Sequence, residues 1–513
     1  MRRLMACLLA LLLLAGCSAP QPEPDGPDTP QEDLSGLPDK PEEPEAPDLP
    51  EAFSLAYCQG QSLDPITCGE GLPLELSGLL YEPLFLLDGS FSPTPLLCED
   101  YGWDQTGTVL TLTVRQGVTF TDGSALTSRD VAETLRRAAA SERYGYRLRS
   151  VTGVANNSRD GTVTVTLSAP DRSFPALLDI PVVKQGTESG TVPVGTGPYL
   201  FTEDDGGAYL SAWDGWWQNK ALPAERIALV HAKDQETAAN LFASHQVELL
   251  AADLTAGLEP PAGQFSAAER PTAIMQFIGF NAREGRLFSS AALRSAFSLG
   301  LQREMLADAL LSGHAVAAQF PVSPLSPLYP KSLETPYDGD RALEALRAAG
   351  MDSGQPRQLT LLVNSGSRYR LAEAEFIASS MSLLDLEITV EALPWEEYLA
   401  RLESGDFDLY FGEVRLTANW DISGLAATGG SLNYGGYASE STDFLLTSLA
   451  AREDRAGAVS ALCTHLRTQC PFAPLCFRST SVLTHPGIVE GISPAPGSAF
   501  YGLENWTVHL AEK

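Results

Sequence analysis

From residue 51 onward the chain alternates two hydrophobic periods, and this limits its folds more than any other feature. TLTVRQGVTF (111–120) and TVTVTLSAP (162–170) alternate apolar and polar residues at period two, as half-buried strands do. Helical stripes lie between such runs. Thr127-Ser128-Arg129-Asp130 reads as an N-cap with an acid in the first turn, after which Val131, Leu135 and Ala138 recur on one face. DRALEALRAAG places Leu343, Leu346 and Ala349 on a stripe that Gly350 stops. A third helical run covers residues 289–313. Helices interleaved with strands over this length indicate α/β lobes. At 513 residues, two or three lobes are expected, each with its own core.

The first fifty residues have a different texture. MRRLMACLLALLLLAGC joins a basic start to an apolar core from Leu4 to Ala15, too short to span a bilayer, so it reads as a secretory signal. Leu14-Ala15-Gly16-Cys17 resembles a lipobox. The expectation is a signal peptide at 1–16 and lipidation of Cys17, with acyl chains holding the protein at a membrane. Residues 18–50 hold ten Pro, ten Asp+Glu and one Lys, which makes an extended, self-repelling tether. With Cys17 included, the tether covers 17–50.

Charge then excludes partners. With 34 Lys+Arg against 65 Asp+Glu, the net charge of −31 repels phosphate, so no nucleic acid is expected. The signal's two arginines and the tether's nine net negative charges leave −24 on the remainder of the −31, which favours neutral or cationic solutes. Six His, none spaced i, i+4, give no histidine-built metal site. Cys58, Cys68, Cys98, Cys463, Cys470 and Cys476 remain, enough for up to three disulfides outside the membrane, and the last three could pair locally. The chain has no nucleophile elbow, no phosphate loop and no zinc-protease helix. Gly195-Thr196-Gly197 runs into Pro198-Tyr199, a turn entering a strand. No enzyme activity, catalytic residue or cofactor is expected.

Several segments, in order, resemble the family 5 solute-binding lipoproteins of ABC transporters, the oligopeptide-, dipeptide- and nickel-binding group. They are SLDPITC (62–68), LLYEPLFLLDGSFSPTPLLCEDYGWD (79–104), VRQGVTFTDGSALTSRDVAETLRRA (114–138) and VPVGTGPYLF (192–201). GWWQNKALPAERIAL (215–229), IGFNAREGRLFSSAALRSAFSLGLQREML (278–306), YDGDRALEALRAAGM (337–351) and LPWEEYLARLESGDFDLYFG (393–412) follow. The resemblance implies an α/β, two-lobed periplasmic-binding-protein-like clamp (type II, cluster C) with an extra subdomain in the first lobe. Lobe I would comprise 51–78, 194–268 and 472–513, the extra subdomain 79–193, and lobe II 269–471. The chain would cross between lobes near 268 and 471.

The same resemblance implies a short peptide or similar small solute in the interlobe cleft, closure by hinge motion, and delivery to ABC permease subunits by a monomer at the extracytoplasmic face of the cell membrane. The family places a Trp shortly before an Asp that takes the peptide amine. Here Val414 falls at the Trp position and Asn419 at the Asp position, with Trp420 and Asp421 just beyond, so Asp421 is a shifted anchor candidate. Arg415 is the nearest cation for a ligand carboxylate. Tyr81 and Glu82 begin a cleft-lining segment in relatives. Asn281 sits near a crossing strand, Trp395 and Tyr398 at a helix start, and Asn433, Tyr434 and Tyr437 in NYGGY, where aromatics could wall pockets. The alternatives are a nickel- or metal-chelate-binding transport protein, or a non-transport sensor lipoprotein on the same fold.

Overall fold

Two long antiparallel strands, Ser266–Phe280 and Phe472–Thr484, run side by side through the middle of the molecule. Their pairing extends from Ser266 opposite Thr484 to Gly279 opposite Phe472, with a register shift between Pro271 and Met275. The computed structural model describes residues 49–256, 258–351 and 357–512. The signal, Cys17 and the tether lie outside the described residues.

These strands form the spine of an eleven-stranded sheet. On one side follow Leu249–Ala252, Phe53–Tyr57, Arg226–His231, Gly207–Ala212 and Tyr199–Asp204; on the other, Leu409–Arg415, Arg357–Asn364 and Leu386–Leu393; the short strand Ala315–Ala317 also pairs with Phe472–Thr484. The first flank packs around Phe53, Leu55, Tyr81, Tyr199, Leu210 and Trp506. The second packs around Ile278, Phe280, Phe297, Leu361 and Phe411. A separate four-stranded sheet, ordered Cys98–Trp103, Val109–Val114, Thr162–Leu167 and Val151–Asn157, buries its own core against helix Ser128–Ala140. Residues 268 and 471, where crossings between lobes are expected, lie at the start of strand Ser266–Phe280 and just before strand Phe472–Thr484.

Helix Ser128–Ala140 begins as its sequence dictates. Asp130 accepts the Thr127 N–H at 3.0 Å, closing a capping box, and Val131, Leu135 and Ala138 are buried. Helix Gly339–Ala348 stops before Gly350, whose φ of 100° suits glycine, but its buried stripe is Ala342 and Leu346, with Leu343 half-buried.

Other expectations are corrected. The run 111–120 is not one strand: Val109–Val114 ends it, and the chain turns at Gly117. The run 289–313 is not one helix either. It breaks after Ala291–Leu299 at Gly300, where a Cβ would lie 2.6 Å from a Leu384 methyl, so the close approach of that neighbour fixes the break. All six described cysteines are free thiols, each buried. Cys58, near helix Gln235–Ala243, Cys98, in the four-stranded unit, and Cys463, on helix Arg455–Gln469, sit in three different cores, while Cys470, capping that helix, and Cys476, on a spine strand, share a fourth. Among the described residues, no helix is long and apolar enough to cross a membrane.

Candidate functional site

Glu82 and Tyr81 sit where the first flank meets the four-stranded unit, and neither presents a free polar group. The Glu82 carboxylate is buried and accepts three hydrogen bonds: from Trp216 Nε1 at 3.1 Å, Trp217 Nε1 at 2.6 Å and Gln218 Nε2 at 2.7 Å. Burial pushes its carboxyl up, and those donors pull back. This explains the GWWQ stretch, whose role the sequence did not reveal. Tyr81 is core, its hydroxyl donating to the Pro193 carbonyl at 2.6 Å. The Gly195-Thr196-Gly197 turn lies on the same backbone. A Cβ at Gly195 would stand 2.1 Å from the Leu80 carbonyl oxygen, and one at Gly197 would stand 2.5 Å from the Leu80 carbonyl carbon.

The second flank engages most of its expected ligand residues internally. Asn281 is buried and donates to the Gly405 and Phe407 carbonyls at 3.0 and 2.8 Å, bracing the end of a spine strand. Asn433 donates to the Ala427 and Tyr437 carbonyls and closes its own loop. Tyr437 is buried, its hydroxyl 2.7 Å from that of Thr442. Tyr398 is also buried and donates to the Phe411 carbonyl at 2.8 Å, which steadies strand Leu409–Arg415. Trp395 starts helix Trp395–Ser404, is 60% exposed, and stacks on Tyr398. Tyr434 is half-buried against Tyr410. Of this group, Trp395 and Tyr434 keep surface to offer a ligand.

The anchor region departs most from expectation. Trp420 is buried with φ of 58°, wedged edge-on between Phe91 of the segment leading into the four-stranded unit and Phe477 of the spine. Asp421 is not a free carboxylate: it pairs with Arg149 at 2.6 Å and caps the Ser423 N–H at 2.8 Å. Asn419 donates to Asp171 at 3.2 Å. The backbone N–H of Arg172 donates to the Ala450 carbonyl at 2.8 Å. The four-stranded unit thus grips the loop that resembles the family's amine anchor. The sequence hides this because Arg149 and Asp171 lie some 250 residues away.

Arg415 is different. It ends strand Leu409–Arg415, is exposed, and forms no ion pair among the described residues. The surroundings still lower its affinity for a proton, burial first, with Glu70 opposing. The charges that act on it are Glu70 and Asp253 from the first flank, and Arg270 and Arg478 from the spine.

Behind Arg415 a buried charge network joins the halves. Arg478 donates to Glu413 at 2.8 Å, to Thr255 Oγ1 at 2.9 Å and to Asp253. Glu413 belongs to one flank and Asp253 to the other. Both carboxylates overcome burial and hold the guanidinium charged. Gln276 donates to the same Glu413 at 3.1 Å and takes the Cys476 thiol on its own oxygen. Glu373 lies beside this network, fully buried, with neither oxygen hydrogen-bonded among the described residues. Burial, and then the neighbouring Glu413 charge, push its carboxyl up to about 8. Its components come from five separated segments, and no local pattern marks them.

A sheet that continues through two central strands into both flanks fits a two-lobed binding protein. Known proteins bear this out. The model of bacterial extracellular solute-binding proteins, family 5 Middle, matches residues 92–435, and the chain belongs to that family. Protein XP55 of Streptomyces lividans is 30% identical over 332 residues, 58% of this chain and 59% of XP55. The glutathione-binding protein GsiB of Salmonella typhi is 25% identical over 391 residues, 72% of this chain and 76% of GsiB. The oligopeptide-binding protein AppA of Bacillus subtilis, solved with a nonapeptide, shares the fold with a TM-score of 0.60 at 19% identity, covering 90% of this chain and 100% of AppA. The protein is therefore an extracellular solute-binding protein of family 5.

Proposed function

We propose that this protein captures short peptides in the interlobe cleft and delivers them to ABC permease subunits as a monomer lipidated at Cys17. The apolar signal, the small residues before Cys17 and the acidic tether support anchoring at the extracytoplasmic face of the cell membrane. In this reading lobe I comprises 51–78, 194–268 and 472–513, the extra subdomain 79–193, and lobe II 269–471.

The observation that carries the reading is Arg415, an exposed cation without an ion-pair partner among the described residues, at the end of a strand beside the spine and within the field of Glu70 and Asp253 of the first flank. It receives the peptide's carboxylate, a pairing whose planar, bidentate geometry suits guanidinium. Trp395 and Tyr434 supply apolar walls. Asp421 and Asn419 hold the four-stranded unit against the cleft rim instead of binding an amine. Closure stabilises only the liganded form, which is the difference a permease reads.

Calorimetry with a panel of short peptides, each as free acid and C-terminal amide, tests this. The free acids should bind at least about tenfold more tightly, and Arg415→Ala should remove that margin. Equal binding of acids and amides would refute the assignment. Binding of a nickel–histidine chelate with no peptide binding would move the protein to the metal-chelate branch of its family.

A further inference from the structure

A cavity of about 300 Å³ lies in the second flank, and neither Arg415 nor the Arg478 network lines it. Its floor is the start of the spine strand Phe472–Thr484, with Cys470, Pro471 and Pro474 beneath it. Helices Ala291–Leu299 and Arg455–Gln469 contribute to its walls. The volume falls at the small end of ligand pockets.

Its charge is unusual for this chain. Three arginines line it, Arg303, Arg341 and Arg467, against one carboxylate, Glu304, in a protein of net charge −31. None of the three arginines forms an ion pair with a described residue. Arg303 is the informative one, being only 5% exposed. It donates through Nε to the Pro474 carbonyl at 2.7 Å, and through its two terminal nitrogens to the Ser298 carbonyl at 2.9 Å and the Ser298 hydroxyl at 2.7 Å. A guanidinium carries five N–H donors. These bonds use three, all to neutral groups, and the carboxylates that act on it, Glu304 and Glu334, form no ion pair with it, so a buried positive charge reaches the cavity wall without a paired carboxylate.

A buried charge without a partner is costly, and an anion in the cavity offsets that cost directly. Arg341 and Arg467, both exposed, stand on the same cavity and add long-range attraction. Tyr337 and Phe320 give an apolar wall for a carbon skeleton. We propose that this cavity is a second binding site, for a small organic anion bearing carboxylate or phosphate, independent of the peptide cleft.

The test is calorimetry on the full chain at low salt, with citrate and inorganic phosphate as probes. The expected result is saturable binding of at least one probe with Kd below about 1 mM. The double variant Arg341→Glu/Arg467→Glu, on exposed positions that leave the core intact, should weaken it at least tenfold. Arg415→Ala should leave it unchanged, which keeps this site distinct from the cleft. Citrate binding without phosphate binding assigns a carboxylate ligand, and the reverse a phosphate. No saturable binding of either probe, equal binding by the double variant, or loss of binding in Arg415→Ala would each overturn the proposal. Peptide binding by the double variant, measured alongside, shows that the cleft is intact.

Discussion

Replacing Glu373 with glutamine should stabilise the protein, and by more at higher pH. Glu373 is fully buried beside Glu413 and Arg478, with its carboxyl raised from the ordinary 4.5 to about 8. In the folded protein it therefore holds its proton at neutral pH, whereas in the unfolded chain it ionises. A raised carboxyl favours folding most below 4.5 and loses that advantage as the pH climbs through about 8. Each unit corresponds to about 1.4 kcal/mol, so at pH 7 the native state forfeits about 3 kcal/mol relative to a side chain that stays neutral. Above pH 8 the figure approaches about 5 kcal/mol.

Glutamine keeps the shape and removes the titration. Urea denaturation at pH 5, 6, 7, 8 and 9 should show Glu373→Gln pulling ahead of the parent steadily from pH 5 to 8, then levelling. Glu248, also buried and raised to about 7 while accepting the Ser54 N–H, adds a second slope between about 4.5 and 7 that Glu373→Gln leaves in place. Parallel pH profiles for parent and variant would refute the reasoning, because they would mean that Glu373 is ionised in the fold.

Three further outcomes follow from the geometry. Asp421→Asn should change stability by less than about 1 kcal/mol, since its pair with Arg149 is partly exposed, and should alter peptide affinity less than about threefold; a hundredfold loss in a binding titration would restore Asp421 as the amine anchor. Gly195→Ala drives a methyl into the Leu80 carbonyl and should cost at least about 2 kcal/mol in thermal or urea unfolding, where a neutral result would contradict the close approach. Trp217→Phe removes one donor from buried Glu82 and should cost about 1–3 kcal/mol beyond the change in packing; combining it with Glu82→Gln should recover part of that loss in a double-mutant cycle.

The cleft was only partly legible in the sequence. Arg415 stands out in the sequence as the cation nearest the anchor motif, and it forms no ion pair among the described residues. Trp395 was placed correctly at a helix start because Pro394 and the acids behind it open one. The sequence left Tyr81, Asn281, Tyr398 and Tyr437 open between packing and ligand contact, since a tyrosine or asparagine in a motif looks the same whether its polar atom meets a ligand or a backbone carbonyl. Asp421 misled for a related reason: beside a Trp, in the family's anchor region, it reads as an anchor until Arg149 is brought against it.

By itself the sequence determined what depends on neighbours along the chain. The capping box at Thr127 and Asp130, the stop at Gly350, the turn at Gly195-Thr196-Gly197 and the α/β alternation all rest on local backbone preference and side-chain period. Tertiary structure decided what depends on charge and burial across long separations. It joined Asp253, Glu413 and Arg478 into one network, left Glu373 holding a proton, buried six cysteines as free thiols, and set three arginines around a cavity in an acidic protein. The physical reason is that desolvation and Coulomb energy act through space, so a carboxylate's partner and ionisation are settled only when distant segments meet.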